Sequence, residues 1–184
     1  MMELKVYKGR PSDTNGRLDK EMRTYDLLDK LGIEYTCCDH EAAMTMEACI
    51  ESDRALDVSM CKNLFLCNRQ KTAFYLLMMP GEKPFKTKEL SAQIGSARLS
   101  FASGEDMGRL LDIMPGSLSV MGLMNDHDGN VTLLIDEDTL KDEYLGCHPC
   151  INTSSIKLKM ADLKEKFLPA VGHDFTPVKL TGEE

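Results

Sequence analysis

The sequence predicts an α+β domain in which helices pack against a mixed, curved β-sheet. Three observations predict it. Apolar stripes at helical spacing are interleaved with short apolar runs of strand length, without the regular strand–helix rhythm of a doubly wound sheet. Two pairs of such runs flank polar, turn-forming stretches, as hairpins require. At 184 residues, the chain fits one domain able to bury a core.

Residues 1–16 read as a loosely organised segment, broken by Pro11, Asn15 and Gly16, and residues 17–181 as the domain itself. From Arg17 to Leu31, the apolar positions Leu18, Met22, Tyr25, Leu28 and Leu31 form a helical stripe that Gly32 ends. Ile33–Thr36 alternates like a short strand. After the polar break at Asp39-His40-Glu41, Thr45 is placed to cap a short helix through about Ser52. Asn63–Cys67 and Ala73–Met79, joined by Asn68-Arg69-Gln70-Lys71, read as a hairpin near the middle of a sheet. Pro80, Gly81 and Pro84 mark a loop, and Thr87 caps a helix to about Ile94. Ser103 with Asp106 resembles a capping arrangement for a helix ending near Ile113. Leu118–Leu123 and Val131–Ile135, around Asn125–Asn130, predict a second hairpin. Ile156–Leu158 reads as a strand, Ala161–Leu168 as a helix and Phe175–Leu180 as a terminal strand.

Hydrophobic residues at 42% and charged residues at 28% are ordinary for a soluble domain. No apolar run approaches a membrane span, and Met1–Lys5 lacks a basic-then-apolar signal, so a cytoplasmic protein without membrane contact is expected. Seven cysteines, an odd and scattered set, read as reduced thiols rather than a disulfide framework. The net charge of −8 argues against indiscriminate nucleic-acid binding. Its distribution is uneven, however. Residues 61–101 carry seven basic and two acidic side chains, so this window is +5 and the remainder −13. Such a lobe is either a solvated lysine-rich face or a local contact for a polyanion.

Several chemistries are excluded by pattern. There is no phosphate-binding Gly-rich loop with Lys-Ser/Thr, no HExxH and no nucleophile elbow. Asp126–Asn130 lacks the later acidic ligands of a calcium loop and reads as a turn. Cys147-His148-Pro149-Cys150 is a CxxC, yet a strand rather than a helix is expected after it, and no second ligand pair exists for zinc. Two small thiols flanking a turn is the favoured reading.

What remains is Lys62 heading the apolar run Asn63–Leu66, and His148 on a tight turn after Gly146 and Cys147. A cation beside an apolar strand and a distant imidazole fit a small ligand with a negatively charged attachment. Taken singly, each has an ordinary role: Lys62 as a strand-edge lysine, His148 bonded to its own turn, Thr45 as a helix cap. His40, His127 and His173 lie in polar breaks and read as surface residues.

In combination these pieces resemble one family, the editing proteins related to the YbaK domain and to the insertion domain of bacterial prolyl-tRNA synthetases, in particular its free-standing ProX or PrdX type. The resemblance runs from about Leu18 to Leu180. It is carried by His40–Thr45, Lys62–Leu66, Tyr75–Leu77, Pro84–Lys86, Arg98–Phe101, Pro115–Ser119, Gly146–Pro149 and Asn152-Thr153. It implies hydrolysis of the ester joining an amino acid to the terminal adenosine of tRNA, most simply alanine on proline tRNA. It also implies no covalent intermediate, no metal and no cofactor. By resemblance, Lys62 holds the acceptor end, Asn63 orients a polar group and His148 positions the substrate. Thr45, Gly116, Ser117, Leu118, Ser119 and Gly146 form the substrate pocket. Arg69, Lys71, Lys86 and Arg98 from the basic window are the expected tRNA contacts, and a prolyl-tRNA synthetase is an expected partner.

One departure stands out. Val120 occupies the place where the family's glycine loop closes with proline, which bears on the amino acid edited (alanine, cysteine or serine) more than on the reaction. Two rival functions predict different behaviour. A sensor using the same pocket would bind without turnover. A thiol protein would lose function when Cys147 and Cys150 both become serine, a change that is mild for an editing enzyme.

Overall fold

The computed structural model describes residues 4–42 and 46–183. In chain order the elements are β1 (Val6–Lys8), α1 (Asp19–Lys30), β2 (Tyr35–Asp39), α2 (Met46–Leu56), β3 (Lys62–Asn68), β4 (Phe74–Met79), α3 (Thr87–Ile94), β5 (Leu99–Phe101) and α4 (Gly104–Leu111). A 3₁₀ helix (Val120–Asn125), β6 (Val131–Asp136), α5 (Glu137–Leu140), β7 (Tyr144–Cys147) and β8 (Ser154–Lys159) follow. The chain ends with α6, residues 160–170, whose middle turn Leu163–Phe167 is π-helical, and β9 (Phe175–Val178).

The expected α+β class holds, but the strands form two sheets rather than one curved sheet. The first has the order β1-β2-β8-β7 and is antiparallel throughout. The second has the order β5-β3-β4-β6-β9, with β6 parallel to both β4 and β9. The β3–β4 hairpin forms as read, from Lys62 opposite Met79 to Cys67 opposite Phe74. A main core fills the space between the sheets and takes Tyr25 and Leu28 from α1, Cys37 and Ile156 from the first sheet, and Phe65, Leu76 and Met78 from the second. A smaller core covers the other face of the second sheet, where Leu66, Leu77 and Met79 meet Leu90 of α3 and Leu180. Alternate residues of β3 and β4 therefore enter different cores, which is why these strands read as continuous apolar runs rather than alternating ones.

The helices obey local chemistry. α1 carries Asp19 and Glu21 in its first turn and Lys30 in its last, and Gly32 turns the chain at φ +67°. Ser103 caps α4 as expected, accepting from the Asp106 amide at 3.1 Å. At α3 the capping position is Lys86, and Thr87 is the first helical residue.

Four expectations are corrected. Residues 1–16 carry β1, which pairs antiparallel with β2. The strand expected at Ile33–Thr36 lies later, at Tyr35–Asp39. The helix expected to stop near Ser52 continues to Leu56. Leu118–Leu123 is no hairpin strand: Ser119 accepts from the Met121 amide and starts the 3₁₀ helix. The carboxylate of Asp126 then accepts from the Asn130 and Val131 amides, leading the chain directly into β6.

Candidate functional site

A backbone bridge stitches the two sheets together. Met60, just before β3, bridges in parallel to Gly146 of β7. A Cβ at Gly146 would lie 2.7 Å from Met60 Sδ and 2.9 Å from Val58 Cγ1, so only glycine lets these segments close. This approach brings the start of β3 beside the turn that presents His148.

A pocket of about 320 Å³ opens there, at the small end of ligand-binding sites. Asn63, Gly116, Leu118 and His148 line it, so the structure unites four residues singled out from widely separated stretches of sequence. Met60, Phe65 and Met107 supply apolar wall, with Cys49 and Cys61 beside them. Gly116 adopts φ +92°, a left-handed conformation that suits glycine, and the Ser117 amide closes the turn onto the Met114 carbonyl at 3.0 Å. Ser117 and Ser119 themselves are buried, Ser117 facing a neighbouring hollow and Ser119 capping the 3₁₀ helix. Val120 is the first residue of that helix and fully buried. At the first position of a helix the backbone tolerates proline, because the amide there has no helical partner.

His148 is held in one tautomer. Its Nδ1 lies 2.9 Å from the Ser154 carbonyl, which can only accept, so Nδ1 carries the hydrogen and Nε2 keeps the lone pair. Burial lowers the imidazole pKa from its ordinary value, the carbonyl bond works the other way, and the nearby His40 adds to the lowering. The ring is therefore neutral at neutral pH. His40, read from sequence as a surface residue, is half-buried instead. Its ring lies 6.2 Å from that of His148, and Ser155 Oγ is 2.8 Å from His40 Nε2 and 3.5 Å from His148 Nδ1. His173 also departs from expectation, its side chain being buried with Nε2 3.2 Å from the Asp126 carbonyl. His127 is exposed as read.

Lys62 does not enter this pocket. Strand alternation sends it to the opposite face of β3 from Asn63, into a cleft of about 640 Å³ that it lines with Phe85, Lys86, Lys88 and Phe101. Its Nζ donates to the Lys83 carbonyl at 2.8 Å. Lys83 is itself fixed, its ammonium donating to Asp136, Asp138 and the Leu180 carbonyl within 2.8 Å. Burial lowers the Lys83 pKa, but the two carboxylates outweigh it and the net shift is upward. Leu64 and Phe101 line both hollows, so pocket and cleft share a wall.

The basic window divides in two. Lys86 lies in the cleft, and Arg98 in a recess next to it with Thr87 and Lys88. Arg69 and Lys71 occupy the hairpin turn at the far end of β3, where Lys71 pairs with Asp106 at 3.1 Å. Thr45 lies outside the described residues.

The CxxC thiols point to inert chemistry. Cys147 and Cys150 are both fully buried and unbridged. Burial pushes the Cys150 thiol up to about 11 and Cys147 further still. Cys61 in the pocket wall is pushed up to about 12, again by burial. Among the described residues, no group of three or more histidine, cysteine or acidic side chains could hold a metal ion.

The family model described as an aminoacyl-tRNA editing domain matches residues 40–166, well over half of the chain. The chain belongs to that family. This editing domain is thus a hydrolase of the aminoacyl-tRNA deacylase class. It is 29% identical over 163 residues to the prolyl-tRNA editing protein ProX of Acetoanaerobium sticklandii, covering 89% of this chain and 99% of that protein. It is also 29% identical over 166 residues to prolyl-tRNA synthetase associated domain-containing protein 1 of Danio rerio, covering 89% and 87% respectively. A solved structure described as a candidate trans-editing enzyme for prolyl tRNA synthetase aligns over 90% of this chain and 99% of its own. The TM-score is 0.65 at 15% identity, a likeness of fold. Among the described residues no helix is long and apolar enough to cross a membrane.

Proposed function

We propose that this protein is a trans-editing deacylase of mischarged proline tRNA, with alanyl-tRNA(Pro) as its substrate. The observation that carries this reading is the arrangement of two hollows on one wall. A small pocket lined by Asn63, His148 and the Gly116 loop adjoins a lysine-lined cleft headed by Lys62. An aminoacyl group attached to a polyanion needs that pairing. The amino acid occupies the pocket, and the terminal ribose and phosphate lie toward Lys62. Lys62 in this scheme acts on the attachment, not on the ester atoms.

An aminoacyl ester is an activated bond, so a positioned water and a few donors suffice. His148 Nε2, unprotonated, accepts the proton of the attacking water, directly or through the neighbouring terminal hydroxyl, and returns it to the ribose oxygen as the ester C–O bond breaks. The Asn63 amide and the backbone of the Gly116 loop stabilise the oxyanion, each donor contributing about 3–4 kcal/mol in such sites. The scheme uses no metal, cofactor or covalent intermediate. Selection in this scheme is steric: the side chains of Met60, Phe65, Met107 and Leu118 line the pocket, and the fit against them tells a methyl from a proline ring. Because a pocket gains only about 1–3 kcal/mol per methylene, removing the smaller amino acid at a second, tighter site is the effective design. A prolyl-tRNA synthetase that releases the mischarged tRNA is the natural partner, in the cytoplasm.

The test is release of alanine from alanyl-tRNA(Pro), with prolyl- and cysteinyl-tRNA(Pro) in parallel and Lys62→Ala as control. Lysine-dependent loss of alanine alone is expected. Loss of a different amino acid keeps the reaction and overturns the specificity. Binding without turnover of any of them overturns the enzyme and leaves a sensor.

A further inference from the structure

We propose that Phe101 is a stacking platform for the terminal base of the tRNA 3′ end, and that Lys88 and Arg98 extend the phosphate path from Lys62 beyond it. The inference rests on the editing reading and deepens it. Phe101 closes edge strand β5 and is 62% exposed, against 37% for Tyr144, the other exposed large aromatic among the described residues. An apolar ring so exposed, at the rim of a site, has a face to offer a partner. It does not hang freely, for Phe85 packs against it edge-on at 6.1 Å and an interplanar angle of 68°.

Its position identifies the partner. Phe101 belongs both to the pocket that takes the amino acid and to the cleft headed by Lys62. A nucleotide whose ribose carries the ester at that shared wall has its base one sugar away, over the cleft. The cleft, at about 640 Å³, is twice the 320 Å³ of the pocket, in keeping with a nucleoside rather than a small side chain. Thr87 and Lys88 then belong also to the next recess, where Arg98 stands. Among the described residues, no acidic side chain lines either the cleft or that recess. An aromatic face amid cations is the chemistry that binds unpaired nucleotides irrespective of sequence. Arg69 and Lys71, at the other end of β3, fall off this path.

The experiment uses the full chain and uncharged tRNA(Pro) labelled at its 5′ end, read by fluorescence anisotropy, beside the same RNA with an abasic terminal residue. Phe101→Ala is expected to weaken binding of the intact RNA roughly tenfold, the scale of one base–aromatic stack, and to leave the abasic RNA unaffected. Phe101→Trp should retain binding, and thermal melts of both variants check the fold. Equal losses on the two RNAs, no loss on either, or no binding by the wild type would overturn the proposal. Alanyl-tRNA(Pro) turnover measured alongside separates the two ideas. Turnover with a base-independent Phe101 effect sinks the stacking alone, whereas base-dependent binding without turnover sinks the enzyme and leaves the stacking.

Discussion

Replacing Gly146 by alanine tests whether the seam between the sheets sets the catalytic geometry. The new Cβ would meet Met60 Sδ at 2.7 Å and Val58 Cγ1 at 2.9 Å. Ordinary carbon contacts begin near 3.5 Å, so the valine contact alone is short by roughly 0.6 Å. The methionine can swing aside, but the branched Val58 side chain cannot, and the bridge between Met60 and Gly146 must open. Overpacking of this kind costs about 1–3 kcal/mol of stability. The larger effect is on function. Asn63 and His148 stand on opposite sides of the seam, and a displacement approaching 1 Å costs on the order of 10²-fold in rate. Single-turnover deacylation with a denaturant melt reads both quantities. Val58→Ala removes the clashing methyl without touching the pocket lining, so the double variant Val58→Ala/Gly146→Ala should recover much of the rate relative to Gly146→Ala. Wild-type rate and stability in Gly146→Ala, or no recovery in the double variant, would refute the reasoning.

Three further outcomes are expected. His148→Ala should slow deacylation by about 10²–10⁴-fold. Burial lowers the histidine below its ordinary value of 6.5, so the wild-type enzymatic rate should hold level as pH falls to that value and drop only beneath it. An inflection above 6.5 in the pH–rate profile would contradict a neutral, buried Nε2. Cys147→Ala with Cys150→Ala should leave kcat within about twofold and register only as lost packing in a thermal melt, since both thiols are buried and protonated. Arg17 bonds Glu21, only 2% exposed, and Asp39, whose carboxyl burial would raise but for its bonds to Arg17 and Ser154. Arg17→Ala should therefore destabilise the fold by about 3–5 kcal/mol in denaturant unfolding, the cost of stranding buried carboxylate.

The β3–β4 hairpin was readable because two apolar runs flank a polar turn, and the α4 start because a serine cap needs only its own neighbours. The short strands β1, β5 and β7 left little signal. Three or four residues show no period, and their pairing is decided by partners far along the chain. Leu118–Leu123 misled for a related reason: a brief apolar run suits a strand and a buried 3₁₀ turn equally, and the Ser119 cap decides between them. At the site, residue types show in the sequence, and their sidedness follows from strand alternation. Lys62 and Asn63 are adjacent in sequence, so a strand must send them to opposite faces, and that alone separates the lysine-lined cleft from the pocket that Asn63 lines. A histidine in a polar break, as His40 is, reads as a surface residue, and Phe101 in a three-residue strand shows no period, so only their neighbours in space mark them.

The anchoring of Lys62 reaches outside the stretch by which the family is recognised. Its ammonium bonds the main chain of Lys83, and the Lys83 side chain is tied to the carbonyl of Leu180. At the other end of the chain, Arg17 and Glu21 form the ion cluster that Ser154 joins, and the Ser154 carbonyl fixes His148. The matched region spans only 40–166. A fragment trimmed to those limits would keep every described side chain of the pocket wall and of the lysine cleft while discarding the struts behind two of its key groups. Domain grafts built from such boundaries would inherit the lining residues without the bonds that hold Lys83 and Ser154 in place, so the flanks belong in any transplantable unit.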